Sequence, residues 1–306
     1  MARNGTGDAL RVSGLFKTYG TTRIVEDMSF SVGRGEVFGL IGPNGAGKTT
    51  TIRMTLRIIQ PDAGDVLMFG KPFDEDAWSR VGYLPEERGL YRSARVFDVL
   101  VYLGQLKGLS AADAKRRAGE TLELIGMTGH AHKKVSELSR GMGQLIQFGS
   151  TVVHNPELVI LDEPFSGLDP VNTEKLKELV LGLQKQGMAV IFSTHQMNNV
   201  EELCDRVLMI NHGRAVLYGP VKEVKERYRK NSLILSWNGP RERVRGVSRW
   251  EPRGEFWEAY LKDGVAPESV LVDMVQLGGA IRHFEPSMPT LHEVFLRVAR
   301  DGARAP

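Results

Sequence analysis

Gly42-Pro43-Asn44-Gly45-Ala46-Gly47-Lys48-Thr49-Thr50 is the stretch on which the fold turns. It follows the apolar run EVFGLIG and opens into a helical pattern over residues 48–59, so the order is buried strand, glycine turn, helix. That context, with glycines at 42 and 47 followed by a lysine and a hydroxyl residue, is the pattern of a phosphate-binding loop. Glycines let the backbone curl until successive N–H groups converge on phosphate oxygens at a helix N-terminus, where the dipole also favours an anion. Lys48 is then placed to reach the β- and γ-phosphates, and the Thr49 hydroxyl to ligate Mg²⁺. Gly42, Asn44, Gly45, Ala46, Gly47, Lys48, Thr49 and Thr50 form the expected nucleotide-binding set.

Downstream, LVILDEP is an apolar strand that delivers Asp162 and Glu163 at its end. Neighbouring side chains on a strand diverge, so the two carboxylates can serve different points of one site. Asp162 is expected to hold Mg²⁺ through water, and Glu163 to act as general base on the attacking water. Alone, the pair reads equally well as a solvated strand end. His195 ends a third apolar strand, VIFSTH, where parallel sheets place ligand sites, and could touch the γ-phosphate; a lone histidine there is also an ordinary surface residue.

Outward from these motifs the chain alternates strands and helices, which implies a mainly parallel sheet with helices on both faces. Short β-type runs, LRVSGLFKTY and EDMSFSV, precede the glycine turn, and RVLMINHGRAVLYG reads as a hairpin about His212-Gly213. Residues 96–154 read as helical, with breaks at Gly108-Leu109-Ser110 and over 126–131. Past about residue 230 the composition shifts. Tryptophans appear at 237, 250 and 257, Gly239-Pro240 marks a break, and Thr290 with Glu293 forms a capping box ahead of an amphipathic helix. Residues 231–306 are therefore expected to be a small α+β appendage whose tryptophans build its core, and residues 1–230 a nucleotide-binding domain with a helical insertion at about 92–154.

At 306 residues, 42% apolar and 25% charged, the chain has an ordinary globular composition. No run reaches the roughly 18 apolar residues that cross a bilayer, and the N-terminal stretch lacks a signal-peptide core, so a cytoplasmic location is expected. Cys204, the single cysteine, excludes an internal disulfide. The net charge of +3 is a weak hint of nucleic acid, because Lys115-Arg116-Arg117 and the basic residues of 222–230 lie among acids on helical patterns. His130 and His132 have metal-compatible spacing but no further Cys or His nearby, which favours an exposed loop.

The ordered set GPNGAGKTT, LSRGM, LVILDEP with SGLD, and STH resembles an ABC-type ATPase cassette over about residues 8–230. The resemblance implies an α/β phosphate-loop NTPase with a mainly parallel sheet, an antiparallel β subdomain and a helical insertion. It implies ATP and Mg²⁺ as ligands, a homodimer that sandwiches two ATP molecules, and a transmembrane permease on another chain, at the cytoplasmic face of the membrane. Residue by residue, Ser139, Arg140, Gly141 and Met142 stand where the family's signature reaches across the dimer to the partner's nucleotide. Tyr19 in KTYG stands where an aromatic stacks on adenine, though an exposed turn tyrosine would look the same. Asp169 stands where the two cassettes are linked, and a plain helix cap is the competing account.

Three positions depart from the family. Glu86 replaces a glutamine near Mg²⁺; a second negative charge about 4 Å from phosphate costs on the order of 4 kcal/mol at an effective dielectric of 20, which metal ligation or protonation would have to offset. Arg140 replaces a glycine, and Met142 a glutamine. Together with the ending EPSMPTLHEVFLRV, these departures resemble the export branch that carries a C-terminal extension, of the drug- and sodium-efflux type, with PEERGLY and LSRGM most similar to the sodium-extrusion group. The alternatives are a soluble ABC-type ATPase acting on nucleic acid or the ribosome, which typically has two cassettes or a coiled-coil insertion, and a kinase, for which no acceptor site is evident.

Overall fold

The computed structural model describes residues 7–87 and 89–302, so the first six residues and Arg88 of PEERGLY lie outside the described residues. The chain divides into two compact units, the larger running to Val221 and the smaller spanning Lys222–Arg300.

The larger unit begins with β1 (Asp8–Tyr19), β2 (Thr22–Gly33), β3 (Val37–Ile41), α1 (Lys48–Thr55), β4 (Ala63–Met68) and β5 (Lys71–Pro72). It continues with α2 (Glu75–Arg80), β6 (Val81–Leu84), then the helices α3 (Val96–Leu106), α4 (Ala111–Leu124) and α5 (Arg140–Val152). Next come β7 (Leu158–Asp162), α6 (Pro170–Lys185), β8 (Ala189–Thr194), α7 (Met197–Leu203), β9 (Arg206–Asn211) and β10 (Arg214–Pro220). Two sheets result: an antiparallel one in the order β2-β1-β4-β5, and a six-stranded one in the order β10-β9-β3-β8-β7-β6. All neighbours in the second are parallel except the β9–β10 hairpin.

β3, β7 and β8 are buried along their whole length, which is why VFGLI, LVILD and AVIFST read as near-continuous apolar runs. The main core lies where the antiparallel sheet faces the parallel one. Leu10, Met28 and Phe30 meet Phe38, Leu40 and Ile160 there, with Ile52 and Met54 of α1, and the Phe30 and Phe38 rings stack at 5.5 Å.

α1 ends at Thr55, four residues before the helical pattern does. Arg57 takes a left-handed φ of 55°. Its N–H donates to Met54 O at 3.0 Å while Ile58 N–H reaches back to Arg53 O at 2.9 Å. This is a Schellman closure built without glycine, so the usual stop signal is missing from the sequence. At the end of α4 the same closure uses Gly126 (φ 66°), and there the break is visible in the sequence.

In the smaller unit α8 (Val221–Arg227) leads to β11 (Ser232–Trp237), β12 (Val247–Arg253), β13 (Phe256–Leu261), α9 (Pro267–Leu277), β14 (Ile281–Pro286) and α10 (Leu291–Gly302). The strands pair antiparallel in the order β12-β13-β11-β14. Trp237 is buried among Leu235, Leu261 and Met274, with Trp250 and Trp257 half-buried against the same core. The indole N–H of Trp237 donates to Gly278 O at 3.1 Å. The expected capping box forms at α10: Glu293 N–H donates to Thr290 Oγ1 at 3.1 Å and Thr290 N–H to Glu293 Oε2 at 2.8 Å.

His154, just past α5, is buried, and its Nε2 lies 3.2 Å from Val81 O. Burial, reinforced by the nearby charge of Lys107, holds its pKa down at about 4. The unfolded chain therefore binds a proton below about pH 6.5 that the folded chain refuses until pH 4, so stability falls as pH drops through that window. Between pH 7.5 and 5 we expect wild type to lose on the order of 2 kcal/mol more than His154→Gln, read from urea unfolding at both pH values.

Candidate nucleotide site

The glycine turn joins β3 to α1, and its shape is set by two backbone approaches that leave no room for a side chain. A Cβ on Gly42 would sit 2.2 Å from Ile210 O on β9, and one on Gly47 would sit 2.8 Å from Ile24 O on β2, at φ values of 156° and 107°. The Gly213 N–H, at the tip of the β9–β10 hairpin, donates to Ala46 O at 3.0 Å. Gly47 is the N-cap of α1 and offers no side-chain acceptor to the first-turn N–H groups. Those donors and the helix dipole are therefore available to an anion.

Above the turn lies a cavity of about 430 Å³. Its wall includes Asn44, Gly45, Ala46, Gly47, Lys48, Thr49 and Thr50 from the turn and α1, Tyr19 from the end of β1, Glu86 from the loop after β6, and Glu163. Lys48 Nζ donates to the carbonyls of Gly42 at 2.9 Å and Pro43 at 3.2 Å, and lies 3.6 Å from Glu163 Oε1. Glu163 also meets His195, whose Nδ1 is 3.1 Å from both carboxylate oxygens. Lys48 and Glu163 are buried whereas the His195 side chain is 47% exposed, so the histidine is the solvent-facing member of the three.

One expectation needs correcting here. Glu163 does not extend the strand: β7 ends at Asp162, and Glu163 takes a left-handed φ of 49°. Its N–H donates to Ser193 Oγ at 3.0 Å, and this turn, rather than strand alternation, aims the carboxylate at Lys48. A non-glycine residue in that region is strained and must be held by its surroundings.

Asp162 is fully buried. Its Oδ1 accepts from Ser193 Oγ at 2.5 Å and from Thr49 Oγ1 at 3.2 Å, whereas Oδ2 is buried without a hydrogen-bond partner among the described residues. A hydroxyl beside a carboxylate with one orphaned oxygen suits a hard, oxygen-seeking cation such as Mg²⁺. Among the described residues no group of three or more His, Cys, Asp or Glu could hold a metal alone.

Ser139, Arg140, Gly141, Met142 and Asp169 line no part of this cavity. They gather instead at the N-termini of α5 and α6. Ser139 Oγ caps α5 by accepting from Met142 N–H at 3.3 Å, and Asp169 caps α6 by accepting from Asn172 N–H at 3.0 Å. The Arg140 guanidinium lies against Gly167, where a Cβ would come within 2.1 Å of it, and a Cβ on Gly141 would come within 2.4 Å of the Asn172 amide. Asp169 thus caps α6.

Two further residues hold the site together, and motif reading passed over both. Ser193 pairs in register with Asp162 across β7 and β8 and bonds to both acidic residues. Gln147, a buried polar residue on the inner face of α5, donates to Pro85 O at 3.4 Å and Glu87 O at 3.2 Å and so fixes the loop that carries Glu86. A polar side chain in an otherwise apolar strand or helix face was the available signal for each.

Comparison with known proteins follows the same lines. A family model described as ABC transporter matches residues 25–166, and one described as ATP-binding protein DrrA1-3-like, C-terminal domain, matches residues 219–299. The ABC transporter ATP-binding protein YhaQ of Bacillus subtilis is 40% identical over 290 residues, covering 94% of this chain and 97% of that protein. The Nod factor export ATP-binding protein I of Rhizobium sp. is 34% identical over 95% of this chain and 96% of its own length. The linearmycin resistance ATP-binding protein LnrL of Bacillus subtilis is 37% identical over 74% and 73%. Among solved structures, an ATP-binding subunit of an ABC transporter superposes with a TM-score of 0.66 at 29% identity, covering 72% of this chain and 93% of that one. CbiO1 from Clostridium perfringens, part of the cbiONQ complex, gives 0.66 at 28% identity over 72% and 92%.

Two substitutions test this geometry. Gly42→Ala should weaken nucleotide binding by roughly tenfold or more in a fluorescent-nucleotide titration, because its Cβ collides with a backbone oxygen that cannot yield. Ser193→Ala strips partners from two buried groups and should lower unfolding free energy by about 1–3 kcal/mol in urea.

Proposed function

The chain belongs to the ABC transporter ATP-binding proteins, and from that premise we propose that it hydrolyses ATP to drive export through a permease on a separate polypeptide. The observation that carries the proposal is the buried carboxylate of Glu163, held between Lys48 and His195 on the wall of the phosphate-loop cavity.

In this reading the α1 N–H groups and Lys48 bind the phosphates, the lysine exchanging two neutral loop carbonyls for charged oxygens. Tyr19, 49% exposed at the mouth of the cavity, offers its ring face to adenine. Thr49 and Asp162 would hold Mg²⁺, which would supply positive charge to the phosphate oxygens, and Glu86 lines the same cavity. Glu163 takes a proton from water as the water oxygen bonds to the γ-phosphorus, the bond from that phosphorus to the bridging oxygen breaks, and ADP and phosphate leave. His195 orients the carboxylate and reaches the γ-phosphate from the solvent side.

Two copies are proposed to act together. The Ser139 hydroxyl and the Gly141 N–H sit at the N-terminus of α5 and line no part of their own chain's phosphate-loop cavity, which leaves them to serve a partner's γ-phosphate. Asp169, at the head of α6, then links the cassettes. Among the described residues no helix is long and apolar enough to cross a membrane, so the permease partner supplies the path and holds this subunit at the cytoplasmic face. Relatives named for linearmycin resistance and Nod factor export support an exported cargo; drug-like molecules are the class these names favour, and sodium ions rest only on the resemblance of PEERGLY and LSRGM.

Glu163→Gln is the test. It should retain ATP binding while phosphate release falls by about 10²-fold or more; undiminished hydrolysis would remove Glu163 as the base.

A further inference from the structure

Tyr83 lies on β6, and its hydroxyl is buried with no hydrogen-bond partner among the described residues. The parallel register pairs Tyr83 with Ile160 of β7. Alternation along β7 then puts Asp162 on the same sheet face as Ile160, the face that also receives α1. Asp162 Oδ2, also buried, is likewise without a partner, and Asp162 accepts from Thr49 of α1 through its other oxygen. Two orphaned polar atoms thus occupy neighbouring strands on one face, beside the residues suited to Mg²⁺. Burying either without a partner costs about 1–3 kcal/mol. The negative charge of Asp162 is felt at the phenol: burial first, and then that charge, push the Tyr83 hydroxyl above its ordinary range, against the opposing pull of the nearby Arg53 side chain, which makes no hydrogen bond of good geometry to it.

We infer that Tyr83 is a positioning residue for the metal–nucleotide complex, its hydroxyl and Asp162 Oδ2 together holding one water of the hydrated divalent cation. Mg²⁺ gives up its waters reluctantly and is held through several of them, and an ordered water needs at least two polar partners. The phenol supplies a donor and an acceptor, and the carboxylate a second acceptor. The inference rests on the metal–nucleotide reading of the cavity, whose wall Tyr83 does not line.

Tyr83→Phe removes only the hydroxyl and keeps the ring against the core. The test is equilibrium binding of a fluorescent ATP analogue at increasing Mg²⁺, repeated with Mn²⁺ and with EDTA, together with the melting temperature of the ligand-free protein. The expected result is a metal midpoint at least threefold higher in Tyr83→Phe, unchanged binding in EDTA, and a ligand-free melting temperature that does not fall. An unchanged metal midpoint overturns the inference, and if the melting temperature falls at the same time the hydroxyl is simply structural. If metal fails to strengthen nucleotide binding even in the wild type, the metal–nucleotide reading itself fails, and the role of Tyr83 with it.

Discussion

The phosphate loop is held between two sheets by backbone contacts that only glycine permits. Gly42 abuts the carbonyl of Ile210 on the parallel sheet and Gly47 that of Ile24 on the antiparallel one, while the hairpin tip donates through Gly213 to Ala46. These contacts belong to the backbone, so they fix the turn without depending on any side-chain rotamer. They orient the N-terminus of α1, and with it Lys48 and Thr49, toward the ends of β7 and β8. Everything else at the site is arranged against that fixed point.

The second constraint is electrostatic. Asp162, Glu163 and Lys48 are buried together, and burying charges is expensive unless each meets an opposite charge or a donor. Ser193 serves both acids at once, which lets two adjacent carboxylates occupy one strand end. The contacts of Glu163 with a lysine and a histidine hold its carboxyl group at the cavity wall and offset the strain of its left-handed backbone. Among the described residues Asp162 keeps one oxygen without a partner, an arrangement that ordinary core packing seldom leaves behind.

The departures from the family pattern look different in three dimensions. A second negative charge about 4 Å from phosphate costs about 4 kcal/mol at an effective dielectric of 20, but the Glu86 carboxylate is exposed. In a water-like dielectric the same separation costs about 1 kcal/mol, so neither metal ligation nor protonation is required to tolerate it. Arg140 is accommodated because Gly167 of the SGLD turn presents bare backbone to its guanidinium. Met142 meets Ser139 through its backbone N–H, a bond indifferent to the side chain. Each substitution is thus absorbed locally, with the α5 N-terminus capped.

The sequence by itself determined what depends on near neighbours in the chain. The strand–glycine turn–helix order, the apolar runs of β3, β7 and β8, the capping box at Thr290 and Glu293, and the break at Gly126 are set by contacts within a few residues, and composition reveals them. Tertiary structure alone decided what depends on residues distant in sequence. Ser193 finds Asp162 only because β7 and β8 pair in register, Gln147 reaches the Glu86 loop across some sixty positions, and α1 stops at an arginine that adopts the conformation usually left to glycine. Likewise, which oxygen of Asp162 lacks a partner follows from the packing of three separate elements around it. Local preferences act through neighbouring bonds and a single helical turn, whereas a hydrogen bond between elements exists only once burial has brought them together.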